Sequence, residues 1–358
     1  MVTYIIKKIT YAILVLWGVL TLVFFLFNVL PGDPARMMLD KREDANQLAV
    51  IKQKYAFDRS VGEQYALYLN DVLPLSIHHN STTAFTSLMS GKYQYSKLFS
   101  IADYTLVFKV PYLRESFVKQ GTSVASVIGN TFKNTLVLAL ASIGLALFLG
   151  LLLGVCSALS KDTFIDKLIL FISVLGMSLP SFFASILIAW FFGFILHNYT
   201  GLNMTGSLYE VDDYGSGSFL QIRNLILPAI TLGIRPLSVI IQLCRNSLLE
   251  VLSMDYVRTA TAKGLSKFTV IFKHALRNAL NPVVTAVSGW FASMLAGAVF
   301  VEYIFAWNGI GKEIVDALNK MDLPIVMGSV LFIASIFVII NIIVDLIYGW
   351  LDPRIRLS

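Results

Sequence analysis

A chain of 358 residues in which 56% of side chains are hydrophobic and 14% charged carries more apolar surface than a water-soluble core of that size can hide, which selects the membrane class. The net charge of +6 has no basic soluble module behind it, so nucleic-acid binding is excluded as its explanation. Cys156 and Cys244 show neither CxxC nor paired spacing, and no disulfide framework or metal site is indicated.

In chain order, six stretches are long enough to cross about 30 Å of hydrocarbon at roughly 20 residues each: 9–30, 135–159, 168–196, 225–248, 283–301 and 325–351. The expected fold is an all-α membrane protein with six transmembrane helices, because helices satisfy their own backbone hydrogen bonds where no water can. The first stretch follows Lys7 and Lys8. It is about twice the length of a signal-peptide apolar region and lacks a small-residue cleavage pattern, so it reads as a retained helix over 1–30.

Pro31-Gly32-Asp33-Pro34 ends that helix. The polar stretch over 31–130 holds amphipathic pieces at 46–55 and 61–72 and aromatic-rich segments at 93–112, a composition that suits a small folded extracytoplasmic insertion. His78 and His79 stand beside Asn80, Ser81, Thr82 and Thr83 and read as a solvated loop. Residues 131–358 then form a five-helix core. Small residues line one face of its first helix (Gly150, Gly154, Ala158) and of its fourth (Gly289, Ser293, Gly297), as close packing requires, either within the chain or against a partner.

Basic residues in the short loops set the orientation. Lys7 and Lys8, Lys161 and Lys167, the group from Arg245 to Arg277, and Arg354 and Arg356 fall on one side if six helices alternate. Both termini are therefore expected in the cytoplasm.

Three residues in or near the spans draw notice. Arg235 near the middle of the fourth span costs roughly 3 kcal/mol on insertion scales, so something must compensate it. It lines a watery translocation path and meets a carboxylate, or it caps the carbonyl of Leu232 that Pro236 leaves without a donor. Pro180 kinks the third span, and Glu302 sits at the outer end of the fifth, where it could belong to an outer gate. Asp345 near the inner end of the last span suits pairing with a basic group.

The loop at 250–280 is the most informative segment. Ser253 is placed to cap a short helix from about 254 to 263, Gly264 to end it in the left-handed conformation, and Ser266 to cap a second helix. Ala260 and Ala262 keep the first helix slim, Tyr256 offers an aromatic anchor, and Arg258 and Lys263 can pair with acidic groups on a groove rim. The shape is a rigid knob for another protein.

This loop resembles the ATPase-docking loop of ABC importer permeases. Against the general Glu-Ala-Ala form only Ala260, Gly264 and Leu276 match, whereas Tyr-Val-Arg-Thr-Ala at 256–260 and His-Ala-Leu-Arg-Asn-Ala-Leu at 274–280 resemble the B-type permeases of dipeptide and oligopeptide (peptide/nickel family) importers almost letter for letter. Leu-Pro-Gly-Asp-Pro at 30–34, Glu-Tyr-Ile-Phe-Ala-Trp-Asn-Gly-Ile-Gly at 302–311 and Asp-Pro-Arg-Ile-Arg at 352–356 resemble that subfamily too, with Asn308 where proline is usual.

The resemblance implies a type I importer permease in a bacterial inner membrane. It implies a second homologous permease, two cytoplasmic ATPases that bind ATP and magnesium, an extracytoplasmic binding protein and a peptide cargo. The docking residues would be Asp255, Tyr256, Arg258, Thr259, Ala260, Ala262, Lys263, Gly264 and Leu265; the path residues Arg235, Pro180 and Glu302. No cofactor or catalytic residue is expected in this chain: Gly309-Ile310-Gly311-Lys312 is followed by Glu313 and makes no phosphate loop. Uptake of nickel or another small solute remains open, and a proton-coupled secondary transporter would want several acidic or histidine residues deep in the spans.

Overall fold

The computed structural model describes residues 2–29, 45–81, 84–119, 121–211 and 217–351. Its elements run α1 (Val2–Val29), α2 (Ala45–Tyr55), α3 (Val61–Val72), β1 (Leu75–His79), β2 (Tyr95–Ile101), β3 (Tyr104–Lys109), α4 (Val124–Leu159), α5 (Phe164–Ser178) and α6 (Ser181–Ile188), the last continued by π-helix over Ala189–Ile195. After the hairpin β4 (Tyr209–Val211) and β5 (Ser218–Leu220) come α7 (Arg223–Leu252) and α8 (Asp255–Ala262). Helix α9 (267–279) is π-helical at Val270–Ala275, and α10 (Asn281–Gly297), α11 (Val299–Ile304), α12 (Ile310–Asn319) and α13 (Leu323–Leu351) complete the chain. The motifs at 30–34 and 352–356 lie outside the described residues.

Among the described residues four helices, α1, α4, α7 and α13, are long and apolar enough to cross a membrane singly. The fifth expected span appears as α10, whose 17 residues sit at the short end of the crossing range. The third is not one rod. Helices α5 and α6 meet at 109°, because Leu179 and Pro180 are both extended and proline has no N–H to continue the ladder. The kink expected at Pro180 in the span over 168–196 is a full break between two helices.

The chain divides into two compact units, Met1–Ala12 with Thr131–Glu313 and Ile333–Ser358, and Ile13–Asn130 with Ile314–Phe332. In the second unit β1, β3 and β2 form an antiparallel sheet, an addition to the all-helical expectation. His78 lies in β1 and is fully buried, with Nδ1 2.9 Å from Thr86 O and Nε2 2.9 Å from Ser76 Oγ, so the solvated-loop reading of His78 and His79 is corrected. Helix α3 opens on a capping box, Ser60 with Glu63, and packs Tyr68, Leu69 and Val72 onto Leu20 and Phe24 of α1 and Met327 of α13. Residues 314–332 belong to this unit because Asp322 accepts hydrogen bonds from Ser116 Oγ and from the amides of Phe117 and Val118.

In the first unit α7 is the central rod. Its approach to α4 is fixed by Gly150 and Gly154: a Cβ on the first would fall 2.6 Å from Ile240 Cγ2, and on the second 2.7 Å from Cys244 Cβ. That small-residue face is therefore spent inside the chain. Gly289 on α10 has no neighbour within 4 Å of its Cβ position and Ser293 is exposed, so that face is open; the surroundings of Gly297 lie outside the described residues. Lys8 pairs with Asp345, as the sequence suggested for that acid.

Asp71 anchors the second unit's interior. It accepts from Tyr93 Oη at 2.8 Å and Arg114 Nε at 2.9 Å, while Lys109 Nζ donates to its backbone carbonyl. Burial lowers the Lys109 ammonium from 10.5 to about 8. The unfolded chain then binds the extra proton between those values, so stability of this unit rises with pH across that window. Above pH 10 the trend reverses, because burial raises the hydroxyls of Tyr68, Tyr93 and Tyr112, the last to about 12, and the folded state keeps protons the unfolded chain sheds. In thermal melts, the stability difference between wild type and Lys109→Met should move in favour of wild type from pH 7 to 9.5; a pH-independent difference would contradict the burial of a charged Lys109.

Candidate docking loop and pathway residues

The loop between α7 and α10 is built as a stiff step. Ser253 closes α7 by donating from Oγ to Glu250 O at 2.7 Å and does not cap α8. The cap position of α8 falls to Met254, which is extended and offers no side-chain acceptor. Asp255 in the first turn supplies negative charge to the positive end of the helix dipole. Gly264 stops the helix at φ +81 with nothing within 4 Å of its Cβ position, so glycine is required there by backbone conformation alone. Ser266 accepts from Thr269 N at 3.3 Å and opens α9.

Two residues pin α8 to the bundle. Val257 is 3% and Ala260 8% exposed, within an apolar cluster with Leu248 and Val251 of α7 and Val270 and Ala275 of α9. Tyr256 Oη accepts from Asn278 Nδ2 at 2.8 Å, a second tie to α9. Of the docking residues expected from sequence, Ala260 thus faces inward, a correction that follows from its place one turn after Val257. Asp255, Tyr256, Arg258, Thr259, Ala262, Lys263, Gly264 and Leu265 are exposed. Arg258 and Asp255 pair loosely at 3.7 Å in open solvent, which contributes little.

The outward surface extends past the residues the sequence singled out. Phe268 and Phe272 lie exposed with ring centroids 4.5 Å apart, and Leu265 is exposed as well. Aromatics four apart on a short basic loop were the available signal. Asp166 was also passed over, though an acid inside an apolar, otherwise basic stretch was there to be read. It accepts Arg245 Nε at 2.7 Å and Nη2 at 2.6 Å, Ser157 Oγ at 2.5 Å and Asp162 N at 2.9 Å, tying the ends of α4, α5 and α7 together.

The three pathway candidates belong to different elements. Arg235 is exposed midway along α7 and makes no hydrogen bond or ion pair with any described residue, so the alternative that it caps the Leu232 carbonyl is not what the structure has. Pro180 sits at the α5–α6 break. Glu302 is fully buried: its carboxylate accepts from Thr135 Oγ1 at 2.6 Å and from the amides of Gly311 and Lys312 at 2.7 and 3.2 Å, at the N-terminus of α12. In this conformation it is a helix cap facing the chain's own backbone and not a gate facing cargo.

The whole 302–311 motif serves that knot. Gly309 and Gly311 leave room for the carboxylate, since a Cβ on Gly309 would lie 2.3 Å from Glu302 Cδ. Trp307 is buried and donates from Nε1 to Asn134 O at 3.1 Å. Asn308 donates its N–H to Ser207 Oγ at 3.2 Å, a bond that a proline at this position could not make.

Apolar helices long enough to cross a membrane, two of them joined by a stiff exposed loop, define a multi-pass membrane protein. Residues 146–357 match the family described as binding-protein-dependent transport system inner membrane component, and residues 1–84 match its N-terminal companion. The chain belongs to this family of multi-pass inner-membrane permease subunits. It is 33% identical to a di/tripeptide transport system permease of Pseudomonas aeruginosa over 99% of both chains, and 31% identical to a dipeptide transport system permease of Alkalihalophilus pseudofirmus over 99% of this chain and 100% of that one. A glutathione transport system permease of Salmonella typhimurium is 31% identical over 99% of both. Among solved structures, the inward-facing MetNI methionine ABC transporter aligns with 64% of this chain and 97% of its own at TM-score 0.48 and 16% identity.

Removing Asp166, which is buried, leaves the half-buried Arg245 charge without its partner, a loss below the about 3–5 kcal/mol of a fully buried pair. Asp166→Ala should lower the melting temperature of the purified protein sharply, and the double variant Asp166→Ala with Arg245→Leu should recover much of the loss. Equal melting of wild type and Asp166→Ala would contradict the clasp.

Proposed function

We propose that this permease subunit imports peptides, forming half of a translocation route with a second, homologous permease. Two ATPases grip the 254–266 loops from the cytoplasm, where both termini also lie, and an extracytoplasmic binding protein delivers the cargo. The chain itself binds no nucleotide and catalyses no reaction. The dipeptide, di/tripeptide and glutathione permeases that it matches end to end support the cargo class. The excess of Lys and Arg in alternate short loops supports the orientation.

The observation that carries the coupling is the seat of α8. Its inward residues are locked into the core around α7 while its charged and aromatic residues face out. ATP-driven closure of the partner subunits would push this helix, move α7 with it and tilt the bundle between inward-open and outward-open forms. The open face of α10 at Gly289 and Ser293 suits the second permease. Arg235, exposed at mid-helix, lines the route and meets the cargo carboxylate, with the Pro180 break as a neighbouring flexure.

Reversing Arg258 to Glu, or replacing Gly264 by Val at a cost of about 1–2 kcal/mol for a left-handed L-residue, should leave the permease folded and cut peptide-stimulated ATP hydrolysis and uptake at least several-fold in proteoliposomes. Unchanged uptake with unchanged ATPase co-purification would refute docking at this loop. Arg235→Leu should depress uptake while ATPase co-purification stays normal. Intact transport of every peptide tested would remove it from the path.

A further inference from the structure

The sheet of the second unit is turned inside out. Along β1 and β3, Ser76, His78, Thr105 and Lys109 point inward and are buried, while Leu75, Ile77, Tyr104 and Phe108 are each more than half exposed. Residues directly opposite on antiparallel strands share a face, so β2 adds Phe99 and Ile101, paired with Leu106 and Tyr104, to the exposed side. No Asp, Glu, Lys or Arg is paired onto that side among the described residues. An antiparallel sheet with one face in water shows the reverse alternation. Apolar residues out and polar residues in is the pattern of strands whose outer face meets lipid. The inward charges are satisfied within the unit, since Lys109 Nζ donates to Asp71 O and Arg114 Nε to Asp71 Oδ2 at 2.9 Å.

Depth selects among the apolar partners that could cover such a face. Helix α3, which leads into β1, is fixed to α1: Tyr65 Oη is 2.6 Å from Thr21 Oγ1, and Val72 shares a cluster with Leu20 and Phe24. The apolar stretch of α1 runs for 23 residues to Asn28, which is about 34 Å at 1.5 Å per residue against about 30 Å of hydrocarbon. Its Asn28 end can therefore overshoot the hydrocarbon by only about 4 Å, whereas Thr21 lies about 10 Å inside that end. The C-terminal half of α3 stands at the level of acyl chains, and β1 starts two residues beyond it. At that level α1 itself presents exposed Leu22, Phe25 and Leu26, and the sheet face continues this apolar surface. A soluble partner would have to displace lipid to reach it.

We propose that the outer face of the β1–β3–β2 sheet is seated in the membrane leaflet at the Asn28 end of α1, with phospholipid acyl chains as its partner. The sheet then holds the second unit at a fixed level in the membrane, independently of the α1 and α13 spans.

The test is photo-cross-linking in the complete transporter, with its binding protein present, in vesicles of phosphatidylethanolamine and phosphatidylglycerol. Benzoylphenylalanine is placed at Phe99 or at Phe108, where it adds one group to a ring already exposed, and at Leu22 of α1 as the lipid-facing reference. A probe at Ile77 replaces either position if that variant loses peptide uptake. Mass spectrometry should find phospholipid adducts at the sheet positions in yields within several-fold of the Leu22 probe. Adducts mainly to a protein, whether the binding protein, the partner permease or a second copy of this chain, would overturn the lipid seat in favour of a protein interface. No adduct at the sheet positions where the Leu22 probe captures lipid would leave the face in water and overturn it as well.

Discussion

Two small side chains decide whether the loop between α7 and α10 is a lever or a tether. Val257 and Ala260 are sunk in the cluster that includes Leu248 and Val251, so α8 cannot shift without either moving α7 or exposing apolar surface. The area involved is modest, on the order of 1.5–3 kcal/mol for a buried valine. It is enough because the rest of the loop has little freedom: Gly264 and Ser266 fix the turn, and the Tyr256–Asn278 bond braces it from the far side. The Asp166–Arg245 clasp stiffens the same end of α7 against α4 and α5. Force applied at α8 therefore reaches a rod whose own middle carries Arg235.

The remaining packing follows one rule, close approach where glycine permits it. Gly150 and Gly154 bring α4 against α7, and Gly309 and Gly311 admit the Glu302 carboxylate to the start of α12. Placing an acid there is costly unless every acceptor site is used, and Glu302 draws on a hydroxyl and two amides to meet that demand. A rigid knot results at one end of α11. Gly289 is the contrast: a small residue with nothing packed on it, on a helix with an apolar span to cover.

The helices were legible from apolar length, and the loop's turn from Gly264 and Ser266, because those signals are local. Three features were not. The 109° break needed more than Pro180, since prolines such as Pro228 and Pro236 sit inside the continuous α7; what differs at Pro180 is that the residue before it is extended too. The inward turn of Ala260 depends on which face of α8 meets α7, and an alanine carries no such label. The burial of Glu302 and His78 rests on partners far off in the chain, Thr135 for one and the sheet pairing β1 with β3 for the other. Membership of residues 314–332 in the second unit has the same origin, through Asp322 and Ser116.

The proposed coupling requires that a motor subunit hold α8. Thr261 is exposed on that helix, outside the buried Val257–Ala260 seat, and reports contact without disturbing the core. The direct measurement is cross-linking from a Thr261→Cys permease in native membranes, with the cross-linked partner identified by mass spectrometry. The expected partner is a nucleotide-hydrolysing subunit, with yield that changes when ATP is added. Cross-links only to other proteins, or none while the transporter remains active, would contradict it.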